Sequence, residues 1–188
     1  FYPLVARDAS LKLKGSEFLA DALLREPKSD REIVRTSIAH DLDTGRGSAD
    51  LAVPGLIFDQ RMQPDTLSYL PQGVVALAKG TITGTGRIDW TADTLTSSGQ
   101  FTTDNLDFAA AFGPVRGASG TVVFTDLLGL VTAPDQRLKL ARMRGGPRRA
   151  LRWHGETEFL CGRDAFGEAL VLRERGRAGI GWWQQAVV

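Results

Sequence analysis

A strict alternation of apolar and polar positions in the middle of the chain constrains its fold more than any other feature. In residues 81–90, threonine, arginine or aspartate occupies every second position. The positions between them are Ile82, Gly84, Gly86, Ile88 and Trp90. A period of two is that of a β-strand with one buried face, so this segment predicts a strand in a sheet with one apolar and one polar face.

Two later runs repeat this pattern. In the first, Leu95 and Phe101 share one face, and in the second, Val122 and Phe124 do so, with threonine or glutamine on the opposite faces. Short alternating runs separated by Gly, Asp and Thr turns are typical of an antiparallel meander. Because adjacent strands of a meander point their apolar residues the same way, we expect these side chains to form one surface.

Two hairpins are predicted in the first half of the chain. In residues 9–24, leucine and lysine alternate before a Gly-Ser turn that leads to a second apolar run. In residues 33–53, alternation returns on both sides of a turn at 43–47 that has the Asp, Thr and Gly composition of a tight reversal. Pro54 and Gly55 are expected to end the second hairpin.

Other segments are less regular. Residues 56–73 contain prolines and a glycine that predict a loop with one helical turn, and the apolar run at 74–78 fits a strand or a helix. Residues 107–114 predict a helical turn stopped by Gly-Pro, and 126–130 predict another short turn. The predicted fold is mainly β: an antiparallel meander that forms a curved one-sided sheet or groove, with one or two short helical turns.

Composition sets limits on function. The chain has 188 residues and a net charge of +1, so no overall field attracts it to nucleic acid or to an anionic membrane. A single cysteine, Cys161, excludes an internal disulfide framework. No apolar run is long enough to span a bilayer. Because the chain starts at Phe1 without a methionine, we expect it to be a fragment of a longer protein.

The residue types that support catalysis or metal binding are poorly placed. His40, His154 and Cys161 are far apart in sequence and make a poor metal set. No nucleophile elbow and no calcium loop is found. His40 falls on the apolar side of its strand, where a hydrogen-bonded structural histidine is the usual outcome. We expect no enzyme activity, no metal and no cofactor.

Two glycine-containing segments are similar to known binding motifs, but neither is expected to be a binding site. Gly80, Gly84 and Gly86 lie in a strand with no helix after it, so they do not fit a phosphate loop. Strand glycines instead mark bulges, bends or the close approach of something flat. Residues 144–149 read RGGPRR, but this short run is expected to be a solvated loop rather than a nucleic-acid site.

The apolar face leaves two alternatives open. It is either an ordinary core closed by a second sheet or a helix, or an open surface that takes acyl chains. The pattern alone favours the closed core. The residues predicted to face a lipid groove in the second case are Ile82, Ile88, Trp90, Leu95, Phe101, Val122 and Phe124.

Longer sequence runs point to a known family. Residues 84–90 read GTGRIDW, residues 106–109 read LDFA, and residues 113–136 read GPVRGASGTVVFTDLLGLVTAPDQ. Over about residues 70–141 the chain resembles the YdbH-like proteins, which are large bacterial envelope proteins similar to the AsmA and TamB group. The TDL and TAPDQ parts of the last run are its more specific elements.

The resemblance implies a non-enzymatic section of a periplasmic groove that carries phospholipid between the inner and outer membranes. Its partners would be phospholipid acyl chains and other segments of the same protein or an outer-membrane partner. It also implies anchoring in the inner membrane through a segment not present in this chain. Family members have carried a dicarboxylate-transport label, yet no paired-arginine clamp is found here. The alternative is a structural or interaction β module of the envelope with no bound ligand.

The end of the chain departs from the family pattern. From about residue 142 the alternation disappears, and the remaining residues hold three of the four tryptophans, Cys161 and no lysine. The predicted organisation is a β-meander or groove unit at 1–141 followed by an atypical Arg/Trp-rich tail at 142–188. We expect this tail to be non-native to the family fold or poorly ordered.

Overall fold

A computed structural model describes residues 2–69, 75–110, 113–143, 151–152, 157–164 and 167–174, with side chains described as far as residue 141. The described residues form thirteen strands and one short helix, α1, at Pro64–Leu67. The strands are β1 Val5–Lys14, β2 Glu17–Arg25, β3 Glu32–Asp41, β4 Gly47–Phe58, β5 Val75–Trp90, β6 Leu95–Ala110, β7 Gly113–Asp126, β8 Val131–Thr132, β9 Gln136–Leu140, β10 Arg142–Met143, β11 Leu151–Arg152, β12 Thr157–Asp164 and β13 Gly167–Glu174.

The strands form one antiparallel sheet in which the first seven follow one another as a meander. The order is β1-β2-β3-β4-β5-β6-β7-β9-β13-β12-β11, and the two-residue strands β8 and β10 also pair with β7. Strand β1 lies at one edge and β11 at the other, so the sheet is open in the part of the chain described. The predicted fold class, an antiparallel meander with a short helical turn, is confirmed.

Two local predictions were wrong. Residues 107–110 are not helical but form the end of β6, where Phe108 pairs with Val115 of β7. Residues 111–112 lie outside the described ranges. Pro54 and Gly55 do not end a hairpin; they lie inside β4, where the pairing register with β5 shifts between Val53 and Leu56. In both places cross-strand pairing outweighs a local signal that is weak.

The structure also settles the predictions for residues 56–78 and 126–130. The predicted helical turn within 56–73 is α1, and the run at 74–78 is strand from Val75 onwards. Residues 127–130 form a turn in which the Leu130 N–H donates to the Leu127 carbonyl.

Register shifts occur in three neighbouring strands, at similar positions along the strand direction. They lie between Val53 and Leu56 of β4, in residues 76–83 of β5, and in residues 103–108 of β6. At each shift one strand has an extra residue relative to its partner, and such a bulge bends the strand and increases the local twist. Because the shifts are adjacent, we infer that the sheet bends along a line that crosses all three strands.

Buried apolar residues gather near this bend in two clusters. One contains Val115, Ala118, Leu138 and Leu140, and the other contains Ile33, Phe58, Met62 and Ala78. Leu106 and Phe108 pack against both clusters and so connect them. The second cluster includes Met62, only 1% exposed, from the connection between β4 and β5 that also carries α1.

The end of the chain contributes a hairpin to the same sheet. Strands β12 and β13 pair with each other, and β13 pairs with β9 from Leu140 to Gln136. The division of the chain into a groove unit and an atypical tail at residue 141 stays a prediction.

An ion pair fixes the connection that covers the second cluster. The Asp59 carboxylate accepts hydrogen bonds from Arg31 Nη2 at 2.6 Å and from the backbone N–H groups of Arg61 and Met62 at 2.8 and 3.1 Å. The Arg31 guanidinium, followed by the Arg61 N–H, lowers the pKa of Asp59 from 3.8 to about 2. This pair joins the β2–β3 turn to the end of β4.

Asp59→Asn is expected to destabilise the protein in a pH-dependent way. The carboxylate is ionised more readily in the folded than in the unfolded chain, so its contribution is complete above pH 3.8 and fades as the pH falls to about 2. Urea unfolding at several pH values should therefore show a difference in the free energy of unfolding between wild type and variant. This difference should be constant near neutrality and shrink between about pH 4 and 2. Asp93→Asn, at an exposed turn away from this ion pair, is the matched control, and its free energy of unfolding at neutral pH should stay close to that of wild type. A difference in the free energy of unfolding that stays constant down to pH 2 would contradict this role of Asp59.

Candidate functional site

The seven residues predicted to face a groove lie on one face of the sheet. Pairing places Gly84 opposite Phe101 and Phe101 opposite Val122, and directly paired residues share a face. Trp90 is paired with Leu95 in the same way. The remaining members follow by alternation along their strands, and the complete set is Ile82, Ile88, Trp90, Leu95, Phe101, Val122 and Phe124. This side of the sheet is called the apolar face below.

The apolar face continues across the N-terminal strands to the edge of the sheet. One row of paired residues runs from Trp90 through Gly47, His40 and Phe18 to Leu13. The next row runs from Ile88 through Ala49, Ile38 and Ala20 to Leu11. Leu11 and Leu13 are 65% and 60% exposed. The apolar face therefore spans β1 to β7 as one surface.

One end of the apolar face is covered, and the other is covered only in part, by Leu127 from the turn after β7. Leu56 and Ile82, which are paired on this face, pack against the cluster that contains Met62. Towards the β5–β6 turn, Ile88, Trp90, Phe101 and Phe124 are only partly buried, and Leu95 is 62% exposed. Among the described residues no second sheet lies over these side chains, because all thirteen strands belong to one sheet.

The strand glycines make room for side chains of the protein itself. A Cβ atom on Gly84 would lie 2.5 Å from Cδ1 of Phe101, and one on Gly47 would lie 2.5 Å from Cε2 of Trp90. A Cβ atom on Gly86 would lie 2.9 Å from Leu127, which comes from the turn after β7. The flat group whose close approach these glycines predicted is found at Gly84, where it is the aromatic ring of Phe101.

Two contacts between aromatic rings lie at the end of the apolar face that is close to the β5–β6 turn. Trp90 stacks on His40 with ring centres 5.9 Å apart, and its Nε1–H donates to His40 Nδ1 at 3.2 Å. Phe101 and Phe124 meet edge to face, also at 5.9 Å. His40 thus has a hydrogen-bonded structural position between strands. These contacts hold the rings in place, and each ring stays only partly buried.

A polar pair on the apolar face positions Leu127, and sequence reasoning missed it. Ser97, only 7% exposed, donates its hydroxyl to Asp126 Oδ1 at 2.6 Å and accepts the Leu128 N–H at 3.0 Å. The Ser97 hydroxyl and the Gly129 N–H lower the pKa of Asp126. Asp126 is the first residue of the turn predicted at 126–130. The Asp-Leu-Leu-Gly sequence was the available signal, because Asp and Gly at this spacing favour a side-chain-capped turn.

The opposite face is polar, and Arg87 on it is paired with two carboxylates. Arg87 contacts Asp50 at 2.7 Å and Asp89 at 2.9 Å, and the Thr102 and Thr121 hydroxyls are 2.8 Å apart. A shallow depression of about 550 Å³ lies mainly on this face and is lined by Arg35, Ser37, Asp50, Leu51, Ala52, Thr85, Gly86, Arg87, Ser98, Gly99, Gln100, Val123 and Phe124. Its paired charges leave little to attract a charged ligand.

The described residues contain neither a metal-binding cluster nor a membrane-spanning helix. No group of three or more His, Cys, Asp or Glu side chains there is arranged to hold a metal ion. No helix there has the length and apolar character that a membrane span requires.

Comparison with known proteins gives one match. No curated protein and no solved structure matches the chain. The family model of the YdbH-like proteins, described as "Intermembrane phospholipid transport protein YdbH", matches residues 3–146. This range covers β1 to β10 and therefore the whole apolar face. The chain belongs to the YdbH-like family of intermembrane phospholipid transport proteins.

Proposed function

We propose that this chain forms a non-enzymatic section of a hydrophobic groove that carries phospholipids through the periplasm between the inner and outer membranes. The observation that supports this most directly is the apolar face, which is shared by seven strands and is only partly covered towards the β5–β6 turn. The family description supports a phospholipid as the cargo. Acyl chains would contact Ile82, Ile88, Trp90, Leu95, Phe101, Val122 and Phe124.

The physical basis is burial of apolar surface without directional bonding. Each Å² of apolar surface removed from water contributes about 25 cal/mol, whichever acyl chain covers it. Partly buried rings such as Phe101 and Phe124 leave surface for such contact while remaining held by their neighbours. A surface of this kind binds lipid chains and lets them slide, because no single contact is strong.

The cellular setting follows from the same proposal. A groove between two membranes has to lie in the periplasm, attached to the inner membrane through a segment outside this chain. Its sheet would continue into other segments of the same protein or meet an outer-membrane partner. These assignments rest on the family, whose description names intermembrane transport.

The proposal predicts that the protein carries phospholipid when it is purified. Organic extraction followed by mass spectrometry should detect phospholipid at a stoichiometry near one or above. A photoreactive amino acid placed at Phe101 should crosslink to lipid, whereas the same group at Gln100, which points to the polar face of β6, should not. Protein free of phospholipid, or equal crosslinking from both positions, would refute the proposed groove.

The alternative, a β module that binds a partner and no lipid, is favoured by one observation. All ten residues of the edge strand β1 are exposed, so its free backbone groups could pair with a strand of another chain. Lysines on its polar side and a register shift between Arg7 and Ser10 oppose indiscriminate pairing. The extraction experiment separates the two functions, because a purely structural module would contain no lipid.

A further inference from the structure

Two glycines lie opposite each other in the middle of the apolar face. Gly86 of β5 is paired with Gly99 of β6. The same row of paired residues continues to Leu51 of β4 on one side and to Phe124 of β7 on the other. Because neither glycine has a side chain, the surface of the sheet is lower here than on either side. This place on the apolar face is called the glycine notch below.

A leucine from outside the strands occupies the glycine notch. A Cβ atom on Gly86 would lie 2.9 Å from Cδ2 of Leu127 and 3.5 Å from Cδ1 of Leu51. A Cβ atom on Gly99 would lie 3.3 Å from Cε2 of Phe101, so the edge of that ring borders the notch. Leu127 therefore takes the space that an acyl chain on this part of the apolar face would need.

The turn that carries Leu127 is attached to the apolar face through Ser97. The Ser97 hydroxyl donates to Asp126 Oδ1 at 2.6 Å and accepts the Leu128 N–H at 3.0 Å. The same carboxylate oxygen accepts the Gly129 N–H at 3.0 Å. These hydrogen bonds hold the turn against the sheet and keep Leu127 over the glycine notch.

The turn can move away from the apolar face while the sheet stays intact. Residues 127–130 lie between β7 and β8 and belong to neither strand. Leu127 is only partly buried, so its contacts contribute less than those of a core leucine. Leu130 has a φ of 55°, a left-handed conformation that costs a leucine free energy. Outward movement would break the hydrogen bonds of the Leu128 and Gly129 N–H groups without separating any strand pair.

We propose that Leu127 is a lid residue that competes with phospholipid acyl chains for the glycine notch, and that residues 127–130 move outward when lipid binds. The inference rests on the proposed function and adds a residue that sets the affinity of the groove. Leu127 and an acyl chain make apolar contacts of the same kind, so each excludes the other at a similar cost in free energy. Because lipid has to displace the lid, its apparent affinity is lower than that of the bare face, which favours release.

The first test is a titration of the full chain with a phosphatidylethanolamine that has a nitrobenzoxadiazole fluorophore on one acyl chain. Leu127→Ala should bind this probe at least about threefold more tightly than wild type, because the competing side chain is removed. Leu95→Ala is the matched control: it makes the same change at an exposed strand residue of the proposed groove. It should bind the probe more weakly than wild type. Thermal unfolding checks the fold, and Leu127→Gln replaces Leu127→Ala if that variant does not fold.

The second test follows the turn itself by amide hydrogen exchange measured with NMR. Without lipid, the Leu128 and Gly129 N–H groups are hydrogen-bonded to Ser97 and Asp126. Adding unlabelled phosphatidylethanolamine should speed the exchange of these two amides, because the lid opens and exposes them. A lipid that merely covers the turn would slow their exchange instead.

The outcomes separate the lid from the groove. Equal or weaker probe binding by the Leu127 variants, or unchanged or slower exchange at Leu128 and Gly129, would overturn the lid and leave the groove standing. Tighter binding by Leu127→Ala and Leu95→Ala alike would also overturn it, because the effect would then not depend on the turn. If neither wild type nor Leu127→Ala binds the probe, the groove and its lid both fall.

Discussion

Gly84→Ala is expected to destabilise the protein by about 3 kcal/mol or more, a large effect for a single added methyl group. The new Cβ would collide with the Gln100 carbonyl oxygen and lie 2.5 Å from Cδ1 of Phe101. The carbonyl belongs to the neighbouring strand β6 and cannot move without disturbing the pairing of β5 with β6. Urea unfolding followed by circular dichroism would measure the loss.

Gly55→Ala is the matched control for this prediction. Gly55 also lies inside a strand of the same sheet, but a Cβ there would meet only Thr81 Cγ2 at 3.9 Å, which is ordinary contact. The stability of the Gly55→Ala variant should change little or rise slightly, because alanine reduces the conformational entropy of the unfolded chain. If both variants lost the same stability, the close approach of Phe101 to Gly84 would not be what requires glycine.

The sequence predicted the strands well where its alternation is regular. Residues 81–90 lie in β5, and the pairing of their apolar positions with Phe101 follows from antiparallel order alone. The end of β6 was assigned wrongly because the alanines at 109–110 carry no periodic signal of either kind. There, pairing with Pro114 and Gly113 of β7 decides the conformation.

The coverage of the apolar face could not be predicted from the sequence. Alternation places Ile82 and Phe101 on one side, but it does not show that Met62 covers the end near Ile82 while Phe101 stays only partly buried. Contacts of this kind join residues that are far apart in the chain, and the bend that permits them depends on register shifts. A depression lined by Tyr2, Lys28 and Arg61 is equally non-local, because these residues come from separate parts of the chain.

Phe101→Glu is expected to reduce the phospholipid that copurifies with the protein at least about tenfold, since it places a charge on the apolar face. Phe101 is paired with Val122 and meets Phe124 edge to face, so the new carboxylate would lie where acyl chains are proposed to run. An ionised group there either keeps its water, which excludes the chains, or loses it at a high cost in free energy. Extraction and quantitative mass spectrometry of equal amounts of folded protein would measure the change.

Gln100→Glu tests whether position rather than charge causes this effect. It introduces the same carboxylate one residue away, on the exposed polar face of β6, and should leave the lipid content as in wild type. A difference between neighbouring positions on one strand is the result expected when lipid contacts a single face of the sheet. Equal lipid content in the two variants would mean that any bound lipid lies elsewhere on the molecule, and the apolar face would then be a structural surface that awaits another part of the protein.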